Sequence, residues 1–316
     1  MILHASVLPI VCTTTMGKTR RQVKAEVCQK IGERACKDIM AFVRRHQPQL
    51  WGMKKSKTFV GDSVLVALYK DLYVKSYHTV SSEVRRWLPL VSWTLQHNNK
   101  VLRELFAEWG ETQIVLGTLS EWQEATEDAG FPEVMNNVSL WMDSTDFALI
   151  GKVSTSHKSR DWSFKMNGPG RRYMSLMDAR GQLRALWGGY SPKVYDSDFL
   201  KLNEKWLEKR LQGATVTADT HFEWGSKNLR RVTFKTPIPK PRGQRKKGSD
   251  GILIPKTLTR SQEKYNKDLH SVCSQVKNPF RRMAAKVGAL TKPFREGKHQ
   301  LDCLVKLAAG LLNFSE

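Results

Sequence analysis

Residues 139–147 read SLWMDSTDF, an apolar and aromatic run that ends on Asp143, with Asp146 three residues later. The pattern predicts a strand that carries a carboxylate at its tip. Asp and Ser favour turns, so one interpretation is a strand that simply ends in a turn. The other is a metal ligand, and because one carboxylate alone does not hold a catalytic metal, this interpretation requires partners elsewhere in the chain.

A second run of the same kind ends on another aspartate. Residues 213–219 read GATVTAD, in which small and β-branched residues lead to Asp219. Two strand tips that each offer an aspartate suit phosphoryl-transfer chemistry with two metal ions, since Mg²⁺ takes oxygen ligands and usually only one or two carboxylates. Such pairs also arise by chance, so this feature is not specific by itself.

The chain between the two aspartates alternates between strand and helix patterns. A helix is predicted over 196–210, and the segment 168–172, Gly-Pro-Gly-Arg-Arg, is predicted to be a hairpin turn whose Arg171 and Arg172 contact DNA. The short β-type runs are 161–167, 172–179 and 182–190. Strands followed by strands that alternate with helices indicate a mixed α/β domain.

Residues 20–130 are predicted to be helical. Apolar residues recur at helical spacing over 20–46, a second helix is predicted over 62–72 with Asp62 as its N-cap, and a third begins at Thr79. A helix, a tight turn and a second helix that carries Arg85 and Arg86 form the outline of a DNA-reading helix-turn-helix. Plain helical packing or dimerisation is the alternative interpretation.

A basic segment rich in proline and glycine covers residues 235–256. Its composition predicts a loop or linker rather than a regular element. It is either a solvated insertion or a contact to the phosphate backbone, and such clusters also resemble nuclear localisation signals. Its candidate DNA contacts are Arg242, Arg245, Lys246 and Lys247. Helices are predicted after it over 260–288 and 298–313.

The most informative bulk property of the sequence is its large positive net charge. The 316 residues include 52 Lys and Arg against 30 Asp and Glu, which gives a net charge of +22. A field of this sign favours phosphate polyanions, so nucleic acid is the leading partner and ribosomal-type RNA binding is a rival interpretation. No run reaches the length of a membrane span. The five cysteines are scattered without a CxxC pair, which favours a reducing compartment over a disulfide framework.

Several motifs in order resemble the DDE transposase superfamily, and most closely its PIF/Harbinger-like branch. They are WMDSTDF (141–147), DWSFKMNGPGRRYMSLMDARG (161–181), WGGYSPKVYDS (187–197), VTADTHF (216–222), VKNPFRRMAAKVGALTKPFREG (276–297) and LVKLAAGLLNF (304–314). In that family the first aspartate lies in a D-G-T-like turn, matched by Asp143–Thr145, and the second in an A-D-x-x-Y/F-like turn, matched by Ala218–Phe222.

This resemblance implies a ribonuclease-H-like mixed sheet flanked by helices over 131–316, with the helical region 1–130 upstream. It implies Asp143 and Asp219 as catalytic metal ligands for Mg²⁺ or Mn²⁺. The implied partner is double-stranded DNA, with a homo-oligomer or an accessory DNA-binding protein and no membrane. The implied location is the nucleus if the source is eukaryotic.

The third acidic residue of the family motif, V-E-x-P-F-G-x-x-K, is replaced in this chain. The matching residues 276–284 read VKNPFRRMA, with Lys277 at the glutamate position. An ammonium group donates hydrogen bonds and cannot coordinate Mg²⁺, and near a metal ion it would repel it. Lys277 could instead pair with the two aspartates. Glu263 and Asp268 lie earlier on the same predicted helix and are possible substitutes for the missing acid.

Three functions follow. The first is a transposase-derived DNA-binding protein in which DNA strand cleavage is weakened or lost. The second is an active metal-dependent transposase or nuclease whose third acid comes from another position. The third is a basic DNA- or RNA-binding regulatory protein without a metal.

Overall fold

The computed structural model describes residues 17–46, 57–88, 92–132, 135, 137–150, 156–240, 245–247, 253–255, 257–276 and 279–314. Within them the chain is an α/β protein in which helices precede a mixed sheet and flank both of its faces, as predicted at that level. The helices before the sheet are α1 (Arg20–Ile31), α2 (Glu33–Arg45), α3 (Lys57–Leu72), α4 (Tyr77–Val84), α5 (Ser92–Thr112) and α6 (Leu119–Asp128). No helix in these ranges combines the length and apolar character that crossing a bilayer requires.

The first two helices have clear sequence signals at their ends. Thr19 and Gln22 form a capping box at the start of α1, each side chain accepting a hydrogen bond from the other's backbone N–H. Gly32 ends the helix with a φ of 88°, a conformation that glycine adopts without strain. The buried residues of α1 are spaced by four and form one face: Val23, Val27 and Ile31.

Two helix boundaries differ from the sequence prediction. Helix α3 begins at Lys57, so Asp62 lies inside the helix instead of capping it, and its carboxylate accepts a 2.5 Å hydrogen bond from Arg20. The helix predicted from Thr79 is in fact two helices, of which α4 begins after the cap Ser76 and ends at Val84. A proline at position 89 lacks the N–H that a continuous helix would need there.

The sheet combines an antiparallel meander with two parallel strands. Its strands are β1 (Leu140–Ala148), β2 (Trp162–Ser163), β3 (Gly168–Met177), β4 (Leu183–Tyr190), β5 (Thr215–Thr217) and β6 (Thr233–Lys235). The spatial order of the five main strands is β4-β3-β1-β5-β6. Strands β1, β3 and β4 pair antiparallel, whereas β5 runs parallel to β1 and β6 parallel to β5. Strand β2 pairs antiparallel with the start of β3.

The hairpin before β3 is displaced from its predicted position. The predicted strand 161–167 contains only β2, and the predicted turn 168–172 is the beginning of β3. Asn167, with a φ of 51°, takes the left-handed conformation at the end of the turn instead of a glycine. Gly170 is needed within the strand because a Cβ there would lie 2.8 Å from the Phe147 carbonyl oxygen.

The segments after β4 are also more divided than predicted. The helix predicted over 196–210 is broken at Asn203 into α7 (Asp196–Leu202) and α8 (Glu204–Arg210). After β5 comes α9 (Glu223–Asn228). Part of the predicted loop 235–256 is a small ladder of β7 (Arg245–Lys247) and β8 (Leu253–Pro255). The final helices are α10 (Arg260–Val276), α11 (Pro279–Lys286) and α12 (Lys298–Asn313), the last of which matches its prediction.

Each face of the sheet has its own hydrophobic core. One face, which includes Trp141 and Phe147 of β1, packs in a large cluster with apolar residues of α1–α5 and α10–α12. The opposite face, which includes Leu140 and Met142, packs against α6–α8. The larger cluster therefore draws on residues from both ends of the chain.

A buried ion network connects the early helices to the segment before α12. Arg103 of α5 is fully buried and binds the carboxylate of Asp71 at 2.6 and 2.8 Å and that of Glu296 at 2.7 and 3.2 Å. Lys70 adds a 2.8 Å contact to Glu296. We call Lys70, Asp71, Arg103 and Glu296 the buried ion network.

Helices α5 and α12 cross at a pair of glycines. A Cβ built on Gly310 would lie 2.5 Å from the Gly110 Cα, and one built on Gly110 would lie 2.2 Å from the Lys306 carbonyl oxygen. The two helices approach backbone to backbone, and the chain tolerates no side chain at either position without moving them apart.

Candidate functional site

Of the two predicted metal ligands, Asp143 lies on β1 and Asp219 just after the neighbouring parallel strand β5. The register of β1 and β5 pairs Leu140 with Val216 and Trp141 with Thr217. Asp143 stands two residues beyond Trp141, and Asp219 two residues beyond Thr217. Because side chains alternate along a strand and neighbouring strands lie about 4.8 Å apart, this register directs both carboxylates to the same edge of the sheet.

Asp143 does not lie at a strand tip as the sequence predicted. Strand β1 continues to Ala148, and within it Asp143 is half-buried and stands opposite Ser175 of β3. Only the parallel pairing with β5 ends just before Asp143. Ser175 is 1% exposed, and its hydroxyl has no hydrogen-bond partner among the described residues.

Asp219 caps a short turn of 3₁₀ helix. Its carboxylate accepts a 2.8 Å hydrogen bond from the backbone N–H of His221, and the turn spans Thr220–Phe222. The aspartate is half-buried and its backbone is extended, with φ −76° and ψ 177°. The local sequence therefore holds the carboxylate at the end of β5 through an ordinary capping interaction.

A second acidic cluster lies beside this edge, on the opposite face of β1. The buried Asp146 accepts hydrogen bonds from Arg172 Nε at 2.8 Å and Nη2 at 3.1 Å, and from the Ser163 hydroxyl at 2.6 Å. Burial lowers the pKa of Arg172, but Asp146 outweighs this effect and raises it. The sequence did not reveal this pair, because only the β1–β3 register places Asp146 opposite Arg172.

Asp196 interacts both with the Asp146–Arg172 cluster and with Asp219. Its burial raises its pKa, while a hydrogen bond from the Ser144 hydroxyl and the charge of Arg172 act in the opposite direction. Asp219 is near enough to raise the pKa of Asp196 further. The Asp196 Oδ1 lies 3.9 Å from the Arg172 Nη1, too far for a hydrogen bond, and has no hydrogen-bond partner in the described structure.

The predicted DNA contacts are dispersed over the molecule. Arg85 and Arg86 are exposed, but they lie in the turn after α4 and not on a second helix as predicted. Arg171 lies in β3 and forms a 3.7 Å ion pair with Asp302. Arg172 belongs to the acidic cluster. Of the basic loop, Arg245, Lys246 and Lys247 form β7, whereas Arg242 lies outside the described residues.

Lys277, at the third acidic position of the family motif, lies outside the described residues. The helix before it, α10, buries Leu269, Val272 and Cys273 in the core that also contains Trp141. Glu263, one possible substitute for the missing acid, is exposed on α10, and Asp268 is half-buried.

The described residues offer a metal ion two carboxylates at most at this edge. No group of three or more His, Cys, Asp or Glu within the described ranges is arranged to hold a metal ion. Magnesium is often bound by one or two carboxylates, with phosphate oxygens of the substrate completing its ligands. Asp143 and Asp219 fit such an incomplete site.

In comparisons with protein-family models, with curated proteins and with solved structures, the chain matches none.

Proposed function

We propose that this chain is a transposase-derived DNA-binding protein whose ribonuclease-H-like, DDE-type domain is weakened or inactive in DNA strand cleavage. The observation that carries the proposal is the register that places Asp143 and Asp219 beyond matched positions of two parallel strands. A mixed sheet with helices on both faces is consistent with it. The net charge of +22 supports a polyanionic partner.

The metal would be Mg²⁺ or Mn²⁺, held by Asp143 and Asp219. When bound, such an ion stabilises the charge that develops on phosphate oxygens during strand cleavage. The protein itself fixes the two carboxylates through the β1–β3 pairing and the Asp219 cap. Lysine at position 277 removes the third carboxylate of the family motif, which is why we expect weak metal binding and weak or absent cleavage.

Metal-dependent stabilisation tests this proposal without requiring activity. A ligand that binds only the native state raises the melting temperature, and a tenfold excess over the dissociation constant contributes about 1.4 kcal/mol. We expect added Mn²⁺ to raise the melting temperature of the wild type and to have no such effect on Asp143→Asn or Asp219→Asn. Asp198→Asn is the matched control, because this carboxylate is exposed and paired with Lys201.

Nicking and binding assays separate the alternatives. A nicking assay on supercoiled DNA with Mn²⁺ distinguishes the weakened protein from an active transposase or nuclease, which would cleave in an Asp143-dependent manner. A protein that binds duplex DNA without any metal effect would be the basic regulatory protein. Failure to bind duplex DNA at low salt would contradict the proposal. In a eukaryotic source we propose the nucleus as its location, with a second copy or an accessory DNA-binding protein as further partners.

A further inference from the structure

Two aromatic side chains are exposed at one end of the sheet. Phe164 is 75% exposed and Tyr195 is 70% exposed, whereas large aromatic side chains are usually mostly buried. Phe164 lies in the turn between β2 and β3, and Tyr195 directly precedes α7. Their exposure calls for a reason other than packing.

The same ion pair anchors both aromatic residues. The Ser163 hydroxyl, immediately before Phe164, donates to Asp146 at 2.6 Å. The Val194 carbonyl, immediately before Tyr195, accepts a 2.8 Å hydrogen bond from Arg172. Because Arg172 also binds Asp146, the two rings extend from backbone fixed around one buried pair.

Exposed cations lie in the chain segments next to these residues. Lys165 follows Phe164, and Lys158 and Arg160 lie in the adjoining loop 156–160; all three are exposed. Lys193 links this loop to the segment before Tyr195, since its ammonium donates to the His157 carbonyl at 3.1 Å and the Lys158 carbonyl at 3.0 Å. We call Lys158, Arg160, Phe164, Lys165 and Tyr195 the aromatic-basic surface.

The aromatic-basic surface lies near the edge of the sheet that carries Asp143 and Asp219. Asp196, next to Tyr195, accepts a hydrogen bond from Ser144, the residue after Asp143, and interacts electrostatically with Asp219. The surface therefore lies near Asp219 at the end of β5.

We propose that the aromatic-basic surface binds unpaired nucleotides of a DNA strand, with bases stacked on Phe164 and Tyr195 and phosphates bound by the three cations. This inference rests on the proposed function and specifies the form of DNA that the domain prefers: duplex with a single-stranded extension. Base stacking on aromatic rings combined with cations along the backbone is the usual way in which single strands are bound without sequence specificity. The interleaved positive charges distinguish this surface from an apolar docking site for a protein.

Fluorescence anisotropy with labelled DNA tests the proposal on the full chain. The probes are a blunt duplex, the same duplex with a single-stranded overhang, and the overhang alone as DNA or RNA. We expect the overhang to strengthen binding of the wild type, and Phe164→Ala or Tyr195→Ala to weaken binding of the overhang duplex by about 5- to 150-fold. Binding of the blunt duplex should remain unchanged in both variants.

Two controls distinguish stacking from general damage. Tyr195→Phe retains a ring and should bind as the wild type does. Leu202→Ala removes an apolar side chain that is 69% exposed but not aromatic, and it should have no effect. Melting temperatures should match throughout, because these side chains are on the surface.

The outcomes separate this inference from the proposed function. Blunt and overhang duplexes bound equally well, or alanine variants that bind the overhang as the wild type does, would overturn the aromatic-basic surface and leave duplex binding intact. Tighter binding of RNA than of the same DNA overhang would overturn the choice of DNA. No binding to any probe would overturn the proposed function and this inference with it.

Discussion

Replacing Arg103 by leucine should destabilise the protein more than any surface charge replacement. Arg103 is fully buried and binds both Asp71, which is also fully buried, and Glu296. Leucine leaves Asp71 with the neighbouring Lys70 at 3.2 Å as its remaining cation in the network. Removing one partner of a buried ion pair typically costs about 3–5 kcal/mol, because the other charge stays buried without compensation. For a chain of 316 residues, with about 2.1 cal/mol/K of unfolding entropy per residue, that corresponds to a melting temperature lower by about 5–8 °C.

The pH dependence of this loss identifies its cause. Burial raises the pKa of Asp71, but Arg103 and Lys70 outweigh burial and hold it below its usual value; the same holds for Glu296. The network therefore stabilises the wild type above the unfolded-state pKa values of about 4, and this contribution is lost as the pH falls through the lower folded-state values. In Arg103→Leu, burial dominates and raises the pKa of Asp71, so protonation favours the folded variant. The difference in unfolding free energy between the wild type and Arg103→Leu should therefore become smaller as the pH falls from 7 to 4.

Calorimetry or urea denaturation at both pH values measures these effects. Arg180→Leu is the matched control, since Arg180 forms an exposed 2.5 Å ion pair with Asp128 that solvent screens, so its loss should cost far less stability. Asp71→Asn introduced into Arg103→Leu should recover part of the stability at pH 7. Equal losses for Arg103→Leu and Arg180→Leu, or a deficit of Arg103→Leu that does not change with pH, would refute the reasoning.

Four further results are expected. Lys277→Glu should enlarge the rise in melting temperature that Mn²⁺ causes in the wild type, since a carboxylate replaces an ammonium group at the third acidic position; a rise no larger than that of the wild type would contradict that assignment. Alanine at the four basic residues of 242–247 should flatten the salt dependence of duplex binding by about 0.9 in slope for each lost phosphate contact; an unchanged slope would indicate a solvated insertion. Gly310→Ala should cost about 1–3 kcal/mol in urea denaturation because its methyl group meets backbone, whereas Gly168→Ala, with its nearest atom at 3.9 Å, should be close to neutral. Burial raises the pKa of Cys36 to about 12. Iodoacetamide at pH 8 should therefore label Cys36 far more slowly in the folded than in the urea-unfolded protein, as measured by mass spectrometry. Equal labelling rates would contradict the burial of Cys36.

The sequence predicted the elements whose signals are local. Helix α12 is continuous and strongly apolar, and its predicted range agrees with the structure. The proximity of Asp143 and Asp219 was expected from the family resemblance and not from the two apolar runs alone, and the β1–β5 register agrees with it. Helix α3 was predicted too short, since Asp62 resembles an N-cap but is instead used in a tertiary ion pair with Arg20.

Features that depend on register or on distant partners could not be predicted. Arg172 was assigned to DNA because it follows a Gly-Pro-Gly segment, and nothing local reveals that Asp146 lies opposite it across the sheet. The same limit applies to the buried ion network, whose members are separated by up to 226 residues in the chain. Long-range pairs of this kind leave no periodic pattern in the sequence.

The crossing of α5 and α12 has a consequence for how the protein is made. The crossing joins parts of the chain about 200 residues apart, as in the 3.0 Å hydrogen bond from Asn313 to the Gln113 carbonyl. At about 5–20 residues per second, a ribosome needs about 10–40 s to add the intervening chain. Until α12 has been synthesised, the face of α5 that contains Gly110 has no helix to pack against. The apolar surface of the early helices therefore stays exposed during that time. The nascent chain should therefore bind chaperones until α12 has emerged from the ribosome. A fragment that ends near residue 130 would lack α12 and would keep this apolar surface exposed.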